Sequence, residues 1–96
     1  MKSISIFEHA GAFAENKDVA RELRIQEIIP ALDKNEEIIL DFKKVDAVTQ
    51  SFVHALISDI LRKYGNDALD RIAFTARNEK IQKIIGIVVD YMQEGL

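Results

Sequence analysis

The chain contains no cysteine and no tryptophan, and only one proline and four glycines among its 96 residues. Without cysteine there is no disulfide framework, no thiolate metal site and no cysteine nucleophile, and a cytoplasmic location is the expectation. An excess of positive charge is missing too. Thirteen Lys and Arg stand against sixteen Asp and Glu, a formal net charge of -3, so the broad positive field that grips a phosphate backbone is absent and nucleic-acid binding is not expected. Long apolar runs are missing as well: the longest, Ile84 to Val89, is interrupted by Gly86, whereas a membrane span needs about twenty residues. Met1-Lys2-Ser3 passes straight into alternating residues without an apolar leader, so neither a signal peptide nor membrane contact is expected. The glycines lie scattered at positions 11, 65, 86 and 95 and form no phosphate-cradling fingerprint, so no nucleotide or other cofactor is expected.

What remains is 48% hydrophobic and 30% charged, the make-up of one globular domain over residues 1–96. Ile4, Ile6 and Phe7 alternate with Ser3, Ser5 and Glu8, which predicts a first strand. His9 to Ala14 reads as a turn with a short strand through Phe13. Asn16 caps a helix with Asp18 in its first turn and Val19, Leu23, Ile28, Ile29 and Leu32 along one face, and Pro30 should kink or end it. Ile38 to Phe42 is a nearly continuous apolar run, which predicts a central strand covered on both faces. After a loop from Lys43 to Val48, Thr49 caps a long helix over Gln50 to Tyr64, which Gly65 and Asn66 terminate. Its apolar face is Val53, Leu56, Ile57, Ile60, Leu61 and Tyr64. A further strand covers Arg71 to Thr75, and Asn78 caps a last helix in which Gly86 marks close packing. The order βαβαβα predicts a small, mostly parallel α/β sheet with crossover helices, whose functional loops are Lys43 to Thr49 and Ala76 to Asn78 at the strands' carboxyl ends.

The catalytic constellations fail in turn. His9 and His54 lack a helical ligand partner at three or four residues' spacing, so no metal site is expected. Ser51 and His54 stand three apart, with Asp46 or Asp59 to orient the imidazole, but no glycine-flanked elbow supplies oxyanion donors. The carboxylates Glu36, Glu37, Asp41 and Asp46 read as solvated charge. Asp18 with Arg21 and Asp67 with Arg71 read as surface ion pairs. The chain is therefore not expected to be an enzyme. More informative is the junction from Asp41 to Phe52, where a buried strand gives way to a helix start carrying Thr49 and Ser51. A phosphate there would face unpaired backbone amides and the positive end of the helix dipole. Helix capping by Thr49 and plain surface polarity at Ser51 account for the same residues.

Ile38 to Phe42, Val45, Val48-Thr49-Gln50-Ser51-Phe52 and Ala55-Leu56 resemble the central strand, loop and helix of STAS domains, the fold of anti-sigma-factor antagonists. The pattern is closest to a STAS-like group of bacterial domains of unknown function, which have an Asp-Phe strand end and a Thr/Ser-x-Ser-Phe helix start. Gly11 to Arg24 is similar to the stretch that precedes the strand in that group. In the antagonists a serine in an Asp-Ser-Ser-Gly-like turn is phosphorylated by a kinase partner. Aligned through Asp41 and Val45, Thr49 stands at the turn's Asp, Gln50 at the phosphorylated serine, Ser51 at the second serine and Phe52 at the Gly. Gln50 cannot take a phosphate, so a switch of that kind would have to use Thr49 or Ser51.

The resemblance implies a regulatory domain that binds another protein, an ATPase or kinase-like regulator. Thr49, Ser51, His54, Ser58 and Arg62 form the expected docking stripe, joined by Arg77 and Asn78 from the neighbouring loop. The alternative is a sensor of a nucleotide or phosphometabolite in the strand-end crevice, with Arg77 as the anion contact and Asp41 or Thr49 as polar anchors. A homodimer through the last helix is a third expectation, because Ile81, Ile84, Ile85, Ile87, Val88, Val89, Tyr91 and Met92 cover a wide arc.

Overall fold

The structure, a computed structural model, describes residues 1–65 and 67–94. The first strand is β1 (Lys2–Ser5), and the chain turns at Ser5 into a short helix α1 (Ile6–Ala10). The strand is thus shorter than the alternation of Ile4, Ile6 and Phe7 predicts. Ser5 and Glu8 are spaced as in a capping box, and the Ser5 hydroxyl accepts from the Glu8 N–H at 3.4 Å, so the backbone enters a helix while Ile6 stays buried. Gly11, at φ 77°, ends that helix, a left-handed conformation that side chains disfavour. The expected short strand follows as β2 (Phe13–Ala14).

Asn16 caps α2 (Lys17–Leu23) as expected, its side chain accepting from the Asp18 N–H at 2.9 Å. Pro30 does not end the helical path. The chain opens instead into a π-helical turn (Arg24–Ile28), where the Ile29 N–H reaches back to the Arg24 carbonyl, and then continues as α3 (Ile29–Asp33) with Pro30 in its first turn. A wider turn leaves room for the pyrrolidine ring, and at a helix start its missing N–H is no loss.

The central strand is β3 (Ile38–Asp41), flanked by β1 and by β5 (Ile72–Thr75) in an all-parallel sheet of order β1-β3-β5. Ile38 and Leu40 are buried while Ile39 and Asp41 are half-buried. Only one face of this strand is therefore packed under helices, contrary to the expectation from its unbroken apolar run. A second parallel pair joins β2 to β4 (Ala47–Val48), inside what reads as a loop. With two residues each, neither strand carries a legible period.

Thr49 caps α4 (Gln50–Ile57), accepting from the Phe52 N–H at 3.1 Å. The long helix predicted to run to Tyr64 is broken. Ser58 is extended, Asp59 is left-handed at φ 65°, and a separate α5 (Ile60–Tyr64) follows, ending at Gly65. Asn66, paired with Gly65 in the sequence reading, lies outside the described residues. A short α6 (Asp67–Asp70), not foreseen, precedes β5. The last helix, α7 (Glu79–Glu94), begins beside Asn78, whose side chain accepts from the Lys80 N–H at 2.8 Å.

The core gathers Phe42, Phe52, Ile6, Ile28, Leu32, Ile38 and Leu40, each fully buried, with Ile81, Ile85 and Val88 closing it from α7. Ile84, Val89 and Met92 are packed against it, so most of the apolar arc of α7 covers the core, while Ile87 and Tyr91 stay exposed. Gly86 departs from expectation. A Cβ built there meets nothing within 4 Å, so no close packing within the chain explains a glycine that costs about 1 kcal/mol relative to Ala. Among the described residues no helix is long and apolar enough to cross a membrane.

Candidate functional site

The two loops expected to carry function do meet. The Asn78 side-chain amide donates to the Asp46 carbonyl at 3.1 Å, joining the start of α7 to the loop that leads into β4 and α4. Just past this junction α4 and α7 pack side by side, and a groove of about 390 Å³ opens between them and the start of α2. Lys17, Gln50, Ser51, His54, Ala55, Ile87, Val88 and Tyr91 line it. One wall is apolar and supplied by α7. The other is polar, with Lys17 and His54 as its basic groups and no carboxylate. The capped start of α4 adds the positive end of its dipole.

Of the predicted docking residues, Ser51 and His54 are thus brought together in one groove. Thr49 does not line the groove, and its hydroxyl is engaged as the helix cap. Ser58 closes the opposite end of α4 and Arg62 lies in α5, both beside the helix break. The Arg24 Nη1 donates to the Ala55 carbonyl at 2.7 Å and, through a short contact, to the Ser58 hydroxyl, while its Nη2 lies 3.8 Å from Asp59. Arg62 pairs with the same Asp59 at 3.3 Å. Arg24 is nine-tenths buried and its Nε has no hydrogen-bond partner among the described residues. Arg77 is exposed and makes no hydrogen bond or ion pair among the described residues.

The crevice anchors are occupied. Asp41 Oδ1 accepts from the Lys43 N–H at 2.9 Å and from the Thr75 hydroxyl at 3.2 Å, which ties β3 to β5 at their carboxyl ends. No hydrogen bond among the described residues links Ser51, His54 and an acid, and no cluster of three metal-ligating side chains occurs there. The surface pairs read from the sequence are replaced by others. Arg71 donates to the Leu32 carbonyl and to Asn35 instead of pairing with Asp67, and Asp18 and Arg21 form no ion pair. Lys2 meets Glu27 at 2.7 Å, and the hydrogen bond and charge of that ammonium hold the Glu27 carboxyl below its ordinary range.

Sequence reasoning missed Lys17, Gln50, Ile87 and Tyr91 as groove residues. For the last two a signal existed: Ile87 and Tyr91 stand four apart and out of phase with Ile81, Ile85 and Val88. For Arg24, an arginine between apolar neighbours, spacing gives none.

A family model described as a STAS-like domain of unknown function (DUF4325) matches residues 20–82, from α2 into the first turn of α7. No curated protein and no solved structure matches the chain.

Proposed function

The chain belongs to the family of STAS-like domains of unknown function, and on that premise we propose that it is a non-catalytic regulatory domain that docks another protein on the groove between α4 and α7. The observation that carries the reading is the make-up of the groove. Exposed Ile87 and Tyr91 line the groove opposite Gln50, Ser51 and His54 of α4, an apolar anchor beside hydrogen-bonding groups, as protein interfaces require. The partner we propose is an ATPase or kinase-like regulator, as in the antagonists that the fold resembles. Ser51 is the better candidate for phosphorylation. Thr49 is spent on the cap, whereas Ser51 is exposed in the first turn, where roughly two added negative charges would change the groove's sign beside Lys17 and His54.

The test uses the purified chain as bait in host lysate, with and without ATP, against Ser51→Glu and His54→Glu. Capture of an ATP-binding protein that both variants lose supports the reading. Equal capture by all three removes this surface from it. Intact-mass analysis adds a phosphate-sized gain that disappears in Ser51→Ala if the switch operates.

The rival reading, a sensor of a nucleotide or phosphometabolite at the strand ends, draws on the exposed Arg77. A thermal-shift response to such ligands that Arg77→Ala abolishes would favour it. Against it stand the existing engagements of Asp41 and Thr49.

A further inference from the structure

β5 is an edge. It pairs with β3 on one side and, among the described residues, with no strand on the other. The Arg71 and Thr75 carbonyls accept from the Ile38 and Phe42 N–H groups at 2.8 and 2.7 Å, so by strand alternation the N–H and C=O groups of Ile72 and Phe74 point to the outer side. Natural proteins blunt such edges with proline, charge, a bulge or a covering helix. Ile72-Ala73-Phe74-Thr75 has neither proline nor charge. Where α7 would cover the edge it stands off, leaving a groove of about 460 Å³ lined by Leu69, Ile72, Phe74, Ile85, Gly86 and Val89.

Gly86 belongs to this groove, and beyond the adjacent backbone of α7 nothing lies within 4 Å of where its side chain would begin. Gly86 is exposed, so the space that the missing side chain leaves is open to a second molecule. The unpaired strand edge says that what enters has an extended backbone. The charges at the strand's two ends say which backbone. Asp67 and Asp70 are exposed just before β5 and Arg77 is exposed just after it, and none of the three forms an ion pair among the described residues. Two β5 edges run antiparallel about a two-fold axis set the acidic end of each copy beside Arg77 of the other. With Ile72 and Phe74 exchanging hydrogen bonds with Phe74 and Ile72 of the other copy, Asp70 falls one residue from being opposite Arg77.

We propose that the chain forms a homodimer by antiparallel pairing of β5 edges, which joins two three-stranded sheets into one of six strands and closes the groove at Gly86 of each α7. The contact differs from the dimer expected from the wide apolar arc of α7, most of which covers the core. It also leaves the α4 groove free, so the proposal stands or falls separately from partner docking.

Sedimentation equilibrium from low micromolar to near-millimolar concentration tests it. The wild-type chain should reach the mass of two copies. Arg77→Asp and Asp70→Arg should each weaken the dimer about tenfold, and the double charge swap should restore it. Gly86→Gln, whose Cβ has open space beyond its own helix, should give a folded monomer with unchanged helical circular dichroism. A wild-type chain that stays monomeric throughout, a dimer indifferent to Gly86→Gln and the single charge reversals, or a double swap no better than either single overturns the proposal.

Discussion

Arg24 does at one residue what a length of packing does elsewhere. Its guanidinium enters from the π-helical turn, closes the end of α4 at the Ala55 carbonyl and meets Ser58 and Asp59 where the backbone reverses. Arg24→Ala leaves the Ala55 carbonyl only the longer hydrogen bond from the Ser58 hydroxyl at 3.4 Å and should lower stability by about 2–3 kcal/mol, read as a shift in urea midpoint at constant slope. Arg24→Lys should recover less than half of that, because a single ammonium cannot span the positions the planar fork reaches. The Lys2–Glu27 pair makes a smaller prediction, since about a third of each side chain is exposed. The carboxyl's folded pKa lies below its ordinary 4.5, so the stabilisation is complete above that value and fades as pH falls through the lowered one. Melts of wild type and Glu27→Gln should differ by less than about 1 kcal/mol near neutrality and converge in acid.

At the scale of elements, the two irregular turns face each other: the π-helical turn supplies the arginine and the break after α4 receives it. Asp59, at φ 65°, carries the strain of that break. Asp59→Gly removes the strain along with two ion pairs to a half-exposed carboxylate, whereas Asp59→Val keeps the strain and loses the pairs. The valine variant should therefore be less stable than the glycine variant by about 1–2 kcal/mol in parallel denaturant titrations. Caps at Asn16, Thr49 and Asn78, the alternation of strands and helices and the end of α5 at Gly65 could all be read in the sequence, because each depends on neighbouring residues. The break at Ser58 and Asp59 could not. The apolar stripe from Val53 to Tyr64 keeps helical spacing across it, and its cause, Arg24, lies over thirty residues away in the chain. Likewise Ser51 and His54 could be read as a pair on one helix face. The apolar wall opposite them required knowing which side of α7 the core leaves uncovered. The β5 edge was hidden for a similar reason: a four-residue strand looks the same whether one or both sides are paired.

At the scale of the molecule, stability rests on one core under one face of the sheet, and Phe42 sits where the end of β3 enters it, fully buried and 6.5 Å from the ring of Phe74. Phe42→Ala should cost about 3–5 kcal/mol, a large share of what a domain of this size possesses, and a guanidinium melt should show it. The sheet's register has a further consequence, for the time course of folding. Lys2 lies opposite Ile38, and Ile38 opposite Ile72, so each ladder links segments more than thirty residues apart, and no hairpin can nucleate the sheet. Such non-local pairing folds slowly. During synthesis β3 has β1 to pair with early, but its other edge stays bare until residue 75 has left the ribosome. Until then the apolar run Ile38-Ile39-Leu40 offers an open template to other nascent chains.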